Sequence, residues 1–253
     1  MSIRLTPNGF SFYINSPGDS RIFHHQQTSV GNKLPYIESI KKLIFDAGFF
    51  SHSFQKTNVT FVSGEYTLVP DCFFEKKATE NVFNFNFSKE KGKVLSSHLK
   101  EQNCHLLFDV DEELYGFFAR SLWNPSFRHH AQVLIPAFAT HCKDSAEKRC
   151  YVTFHDDFVS VFTYAGTQLL SANTFNNSNK FDALYFIAGI WEKLPMNQST
   201  DLLFISGNVA LHTETISTLK KLIRKTVIMN LSTQTQLSEN EHNLLPTDIL
   251  IAL

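Results

Sequence analysis

The feature that most constrains the fold of this chain is a weak internal repeat between its two halves. The sequence FVSG at residues 61–64 returns as FISG at residues 204–207. A chain of 253 residues is long enough to hold two domains of ordinary size. The repeat therefore predicts two related halves, residues 1–145 and residues 146–253.

The order of predicted elements supports this duplication. In the first half, a turn at Asn8 and Gly9 joins two strands, a third strand covers residues 21–30, and a helix and a buried strand follow. In the second half, residues 150–154 and 158–164 form the hairpin, and a strand, a helix and a buried strand follow in the same order. Antiparallel strands followed by alternating helices and strands predict an α/β fold, with a mixed sheet flanked by helices in each half.

Three segments fall outside the repeat. Residues 71–103 are polar and form an insertion in the first half, in which we expect a helix and an edge strand. Residues 127–142 show no clear period, and we expect at most a strand that bends or ends at Pro136. Near the end of the chain, Pro246 is expected to open a short helix.

Composition excludes several classes of partner. The 23 basic and 24 acidic residues nearly cancel, which argues against a broad surface for nucleic acid or anionic membrane. The longest apolar runs, such as residues 133–139, are far shorter than the roughly 20 residues of a membrane helix. The first residues show no apolar core of a secretory signal. We therefore expect a cytoplasmic protein with no membrane contact.

Cysteine and histidine spacing gives no metal motif. The four cysteines, at positions 72, 104, 142 and 150, form no Cys-x-x-Cys pair, and reduced core thiols are the simplest interpretation. Four histidines lie in sequence near Cys142 and Cys150, namely His129, His130, His141 and His155. A site there would need at least three of these groups to converge, and their irregular spacing predicts none. The adjacent pairs His24-His25 and His129-His130 are expected at the surface.

The duplicated order and its two Ser-Gly strand ends resemble the actin-like ATPase superfamily, in which two ribonuclease H-like halves face each other across a nucleotide cleft. The chain also resembles an uncharacterised bacterial family of about this length, a domain of unknown function. These resemblances imply an actin-like architecture built from two ribonuclease H-like halves. They also imply that ATP and magnesium are the cofactors to consider.

The superfamily pattern implies where a nucleotide would bind. Candidate positions are the turns of the two hairpins and the end of the buried strand in the second half: Asn8, Gly9, Asp156, Asp157, Ser206, Gly207 and Asn208. The first turn lacks the acidic residue of the family's phosphate loop, and the second turn has carboxylates but no glycine. The strand end supplies one glycine where the family has two. The phosphate-loop motifs are therefore incomplete, and we expect no catalytic residues.

Each acidic or glycine-containing candidate also has a structural interpretation. Aspartates are common in turns, which accounts for Asp156 and Asp157 without a ligand. A cluster of carboxylates that could bind a metal follows a buried strand, namely Asp109, Asp111, Glu112 and Glu113, but Asp109 or Asp111 could instead cap the next helix. The repeated Ser-Gly strand ends could reflect a backbone that needs positive φ.

Three functions remain open at this point. We favour a non-catalytic binding or scaffold protein with an unidentified protein partner. The alternative is a magnesium-dependent ATP-binding protein or slow ATPase, with Asp156 or Asp157 near the magnesium and Gly207 near the base. A ribonuclease H-type nuclease ranks lowest, because residues 3–14 contain no acid and Asp201 lies at the wrong end of its strand.

Overall fold

The computed structural model describes residues 1–16, 19–29, 35–46, 48, 54–87, 92–179, 181–229 and 245–252. The chain divides into two compact units, Met1–Gln132 and Val133–Leu253. The domain boundary expected between residues 145 and 146 remains a prediction. Residues 232–243 are polar, for which the sequence predicts a loop, and they lie outside the described residues.

The first unit contains strands that fall into two sheets. These strands are β1 (Ser2–Thr6), β2 (Gly9–Ser16), β3 (Asp19–Ser29), β4 (Thr57–Phe61), β5 (Tyr66–Pro70), β6 (Lys93–Leu99), β7 (Cys104–Val110) and β8 (Pro125–His129). Its helices are α1 (Tyr36–Asp46), α2 (Thr79–Asn86) and α3 (Glu112–Ser121). The division between the units falls within the next helix, α4 (His130–His141).

The larger sheet of the first unit has the order β3-β2-β1-β4-β8. Strands β1 to β3 pair antiparallel, and β1, β4 and β8 pair parallel. The predicted turn at Asn8 joins β1 to β2, with Thr6 opposite Gly9. Ile3 and Val59 are fully buried on β1 and β4, as expected of apolar side chains on central strands.

The insertion over residues 71–103 supplies the expected helix and strand, α2 and β6. Strand β6 joins β5 and β7 in a three-stranded antiparallel sheet of order β5-β7-β6. Phe83 of α2 is fully buried and belongs to a cluster with Val69 and Leu107. The apolar face of α2 therefore holds the helix against this sheet.

The segment over residues 127–142 differs from the expectation. It forms the last part of β8 and then α4, with Pro136 inside the helix rather than at the end of a strand. A proline inside a helix costs about 3 kcal/mol, because it removes a backbone hydrogen bond and its ring crowds the preceding turn. Leu134, Ile135 and Phe138 are buried around it. Each such side chain contributes about 1.5–3 kcal/mol on burial, which offsets that cost.

The second unit contains one five-stranded sheet and its helices. The strands are β9 (Lys148–Phe154), β10 (Phe158–Ala165), β11 (Gln168–Asn176), β12 (Leu202–Gly207) and β13 (Lys225–Ile228). The helices after α4 are α5 (Asp182–Lys193), α6 (Thr213–Leu222) and α7 (Thr247–Ala252). Helix α7 follows Pro246, which confirms the predicted closing helix. The core of this unit includes Val152, Ile187 and Leu219.

The five-stranded sheets of the two units share one topology. The order β11-β10-β9-β12-β13 repeats the order β3-β2-β1-β4-β8, element for element. The pairing also repeats, because β9 to β11 are antiparallel and β9, β12 and β13 are parallel. The predicted mixed sheets flanked by helices are thus confirmed. Among the described helices, none is long and apolar enough to span a lipid bilayer.

Candidate functional site

The turn between β9 and β10 carries two of the predicted nucleotide-binding residues, Asp156 and Asp157, and both are exposed. The preceding residue, His155, is buried, and its ring stacks on Phe158 with centroids 4.2 Å apart. Its Nε2 lies 3.2 Å from Ser160 Oγ, and its backbone N–H donates to the carbonyl of Phe158 at 2.9 Å. The turn is therefore held by the hairpin's own contacts.

The end of β12 approaches this turn closely. Gly207 lies opposite Phe154 in the parallel pairing of β12 with β9, and its φ is +83°. A Cβ atom at Gly207 would lie 2.1 Å from the carbonyl oxygen of Phe154. The backbone N–H of Asn208 donates to that same oxygen at 3.0 Å. Contact between two backbones thus accounts for this glycine, in agreement with the structural interpretation.

The polar side chains at this strand end are also engaged. Asn208 Nδ2 donates to Asp156 Oδ1 at 2.6 Å, which joins the strand end to the acidic turn. Ser206 is buried, and its Oγ lies 3.0 Å from Thr153 Oγ1. Within the second unit, the structure therefore places the predicted residues next to one another, at the carboxyl ends of two parallel strands. Ligands bind at such strand ends in open α/β sheets.

The remaining candidates, Asn8 and Gly9, belong to the first unit. They form the β1–β2 turn, where Gly9 pairs with Thr6. Pro7 offers no backbone N–H to a phosphate, and the turn contains no carboxylate. The Tyr36 hydroxyl donates to the carbonyl of Thr6 at 2.8 Å, and burial raises the pKa of this tyrosine. The Tyr36 hydrogen bond holds this turn in place. The turn lacks the carboxylate and one of the backbone N–H donors that a phosphate loop would use.

The acidic residues after β7 have structural roles. Asp111 is the N-cap of α3, and its Oδ1 accepts a hydrogen bond from the backbone N–H of Leu114 at 2.8 Å. Glu113 pairs with Lys41, whose pKa is raised by the hydrogen bonds to its carboxylate partners. Asp109 lies within β7 itself. The helix-capping interpretation of this cluster therefore holds for Asp111.

The pair His129 and His130 was expected at the surface, and this expectation is wrong, because both are fully buried. They lie where β8 passes directly into α4, so the strand end faces the core instead of a solvent loop. His129 Nδ1 accepts from the N–H of Ala131 at 3.3 Å, which leaves the proton on Nε2. That Nε2 lies 3.2 Å from Ser63 Oγ and donates to it. His24, by contrast, is exposed.

In the second unit, His141 and Cys142 lie within hydrogen-bond distance of one tyrosine. Tyr151 Oη lies 2.7 Å from His141 Nδ1 and 3.2 Å from Cys142 Sγ. Burial lowers the pKa of His141 and raises that of Cys142. All four cysteines of the chain are free thiols. This cluster positions a buried tyrosine.

A separate pocket of about 400 Å³ opens beside α5 and α6 in the second unit. It is lined mainly by apolar side chains, including Trp191, Met196, Leu219 and Ile223. None of the predicted nucleotide-binding residues contributes to its lining.

Sequence reasoning missed one group of potential metal ligands, formed by Asp71, His98 and His105 in the first unit. Their spacing along the chain follows no metal motif. The feature that could have indicated this group is the short connection between β6 and β7, because it places one histidine on each strand of an antiparallel pair.

The comparisons with known proteins identify the family of this chain. Residues 1–226 match the model of a family described as Protein of unknown function (DUF3822). The chain belongs to this family. No curated protein matches the chain.

Two solved structures share the fold of this chain. A protein of Bacteroides thetaiotaomicron, described as having an actin-like ATPase fold and unknown function, is 27% identical with a TM-score of 0.83. That match covers 92% of this chain and 93% of the other. A chain from the PilM–PilN type IV pilus biogenesis complex is 11% identical with a TM-score of 0.59, covering 99% and 95%. The predicted family and fold class are thus confirmed.

Proposed function

We propose that this DUF3822 protein is a non-catalytic binding or scaffold protein that uses an actin-like fold to engage a protein partner. The observation that carries the proposal is the hydrogen bond of 2.6 Å from Asn208 Nδ2 to Asp156 Oδ1. It ties the acidic turn to the neighbouring strand end. The bond engages one of the two carboxylate oxygens of Asp156, so a magnesium ion would have to coordinate the other oxygen or displace Asn208.

The backbone around the turn supports the same proposal. Phosphate loops bind through backbone N–H groups that point outward without an internal partner. Here the N–H of His155 donates to Phe158 and the N–H of Asn208 donates to Phe154. The turn of the first unit contributes Pro7, which has no N–H at all. The backbone N–H groups of His155 and Asn208 are therefore not available to a triphosphate.

Exposed aromatic side chains support a protein partner. Phe181 and Tyr185 lie one helical turn apart at the start of α5, and they are 65% and 76% exposed. Large aromatic side chains are enriched in protein interfaces. The structural neighbour from the PilM–PilN complex is itself part of a two-protein assembly. This neighbour is our precedent, at the level of the fold, for a protein partner. We expect this chain to be cytoplasmic.

Calorimetric titration with ATP and Mg²⁺ tests the proposal. We expect no saturable heat, with or without magnesium. The Asn208→Ala variant is the informative companion, because it releases Asp156 and should bind better than the native chain if a latent site exists. Asp144→Ala, which changes an exposed aspartate elsewhere in the second unit, is the matched control. Magnesium-dependent ATP binding in the micromolar range by the native chain would overturn the proposal.

The second candidate function is magnesium-dependent ATP binding, favoured by one observation. Asn208 contacts Asp156, the neighbour of Asp157 in the same turn, at the carboxyl ends of parallel strands, the edge where α/β sheets bind ligands. In that case, Asp156→Ala combined with Asp157→Ala abolishes binding while Asp144→Ala preserves it. Binding that survives the double substitution contradicts this candidate.

A further inference from the structure

Three side chains with metal-ligating atoms lie side by side on the three-stranded sheet of the first unit. They are Asp71, His98 and His105, and their ligand atoms all lie within 4.8 Å of one another. Among the residues that the structure describes, no other group of three or more His, Cys, Asp or Glu side chains meets in this way.

The backbone of the sheet brings these ligands together. His98 on β6 and His105 on β7 are directly opposite each other in the antiparallel register, so their side chains share one face of the sheet. Asp71 follows β5, which pairs with the other edge of β7. The backbone N–H of Asp71 donates to the carbonyl of Asn103 at 2.9 Å, which fixes the aspartate beside the β6–β7 connection. Two neighbouring strands, β6 and β7, and the residue directly after β5 thus each supply one ligand.

The distances between these side chains match the size of a metal ion. Asp71 Oδ2 lies 3.0 Å from His98 Nε2, and Asp71 Oδ1 lies 3.7 Å from His105 Nε2. Two ligand atoms in a tetrahedral zinc site with bonds of about 2.1 Å are roughly 3.4 Å apart. The two observed distances lie on either side of that value. Because the lone pair of each Nε2 lies in the plane of its ring, the two nearly parallel imidazoles must also turn relative to each other before both can face one metal ion.

Aromatic packing holds one ligand in place. The ring of Phe74 stacks on His105 with centroids 3.4 Å apart and an interplanar angle of 4°. The rings of His98 and His105 are also nearly parallel, at 4.4 Å. The His105 side chain is 18% exposed, whereas His98 and Asp71 are 39% and 37% exposed. Packing against Phe74 therefore fixes the ring of His105, whereas the more exposed His98 and Asp71 have room to turn towards a metal ion.

We propose that Asp71, His98 and His105 bind one divalent transition-metal ion, with water completing the coordination. Two imidazole nitrogens and one carboxylate oxygen suit Zn²⁺ and related ions, whereas Mg²⁺ and Ca²⁺ prefer all-oxygen sites. In zinc sites with three protein ligands, water takes the open fourth position. The site lies in the first unit and uses none of the residues assigned to nucleotide binding.

Zinc titration of the chelator-treated full chain, in competition with a chromophoric chelator, tests the proposal. We expect one Zn²⁺ per chain, and Asp71→Asn, His98→Ala and His105→Gln should each weaken binding at least about tenfold. His24→Ala, which removes an exposed histidine from β3 of the same unit, should bind zinc like the native chain.

Thermal melting separates loss of the site from loss of the fold. Without metal, we expect circular dichroism spectra of the Asp71→Asn and His98→Ala variants to match that of the native chain. With excess Zn²⁺, the melting temperature of the native chain and of His24→Ala should rise, and that of the ligand variants should not. If folded native chain binds no stoichiometric zinc, or if the ligand variants bind it as tightly, the three residues form only an Asp–His ion pair. Neither result bears on the scaffold proposal, because no nucleotide or protein partner is involved.

Discussion

Replacing Gly207 with alanine is the substitution whose cost follows most directly from the structure. Two penalties add at this position. A residue with a Cβ at φ of +83° is strained by about 1–2 kcal/mol. The new Cβ would also lie 2.1 Å from the carbonyl oxygen of Phe154, which is backbone and cannot rotate away. Relief requires β9 and β12 to move apart, and overpacking of this kind costs about 1–3 kcal/mol.

We therefore expect Gly207→Ala to lower the free energy of unfolding by about 2–5 kcal/mol. Two further glycines of the same unit separate the causes. Gly166 has φ of +53° but no atom within 4 Å of a built Cβ. Its alanine variant should lose only the strain of about 1–2 kcal/mol. Gly189 lies inside α5 and likewise has no atom within 4 Å of a built Cβ. Gly189→Ala should therefore raise the free energy of unfolding by up to about 1 kcal/mol.

Urea unfolding followed by circular dichroism gives all three values under the same conditions. From most to least stable, we expect the order Gly189→Ala, Gly166→Ala, Gly207→Ala. If Gly207→Ala costs no more than Gly166→Ala, then β9 and β12 do not meet as closely as described, and a ligand-approach role for Gly207 becomes the better explanation.

Three further results are expected from the same assay. Asp111→Ala should cost about 1 kcal/mol because α3 loses its N-cap, whereas Asp111→Asn should be nearly neutral; equal losses would contradict the cap. Asp201→Ala should cost about 1–3 kcal/mol, because its buried carboxylate accepts from the backbone N–H groups of Lys148 and Asn197; an unchanged urea midpoint would contradict that role. Burial raises the pKa of the Cys150 thiol from 9.0 to about 12. The stability that this thiol contributes is therefore complete below pH 9 and falls as the pH rises from 9 towards 12. Cys150→Ala should flatten that alkaline decline, and an identical pH profile would contradict the assignment.

The sequence predicted those parts of the fold that depend on local patterns. The turn at Asn8 and Gly9 and the alternation of strands in both halves are set by neighbours in the chain, so they were visible as periodicity and turn chemistry. The repeated FVSG and FISG strand ends correctly indicated two sheets of one topology, because β4 and β12 hold equivalent places in them.

Features that depend on burial were not predictable in the same way. Pro136 argues against a helix locally, and only the burial of the side chains around it makes α4 favourable. His129 and His130 look like surface residues because imidazole is polar, but the core supplies a partner for His129 in Ser63. In both places, tertiary contacts override the local preference.

The candidate residues were chosen through the resemblance to the superfamily, and their role stays a prediction. Parallel pairing of β9 and β12 brings Asp156 next to Asn208. The hydrogen bond between them depends on side-chain conformation, which no sequence pattern encodes. The same holds for Asp71 and His98, whose meeting depends on the register of β6 with β7.

A crystal structure grown with Mg²⁺ and a non-hydrolysable ATP analogue tests the central claim most directly. We predict that no nucleotide binds beside the β9–β10 turn, and that Asn208 Nδ2 still donates to Asp156 Oδ1. An ordered triphosphate with Mg²⁺ coordinated by Asp156 or Asp157 would contradict the account of this protein as a non-catalytic scaffold.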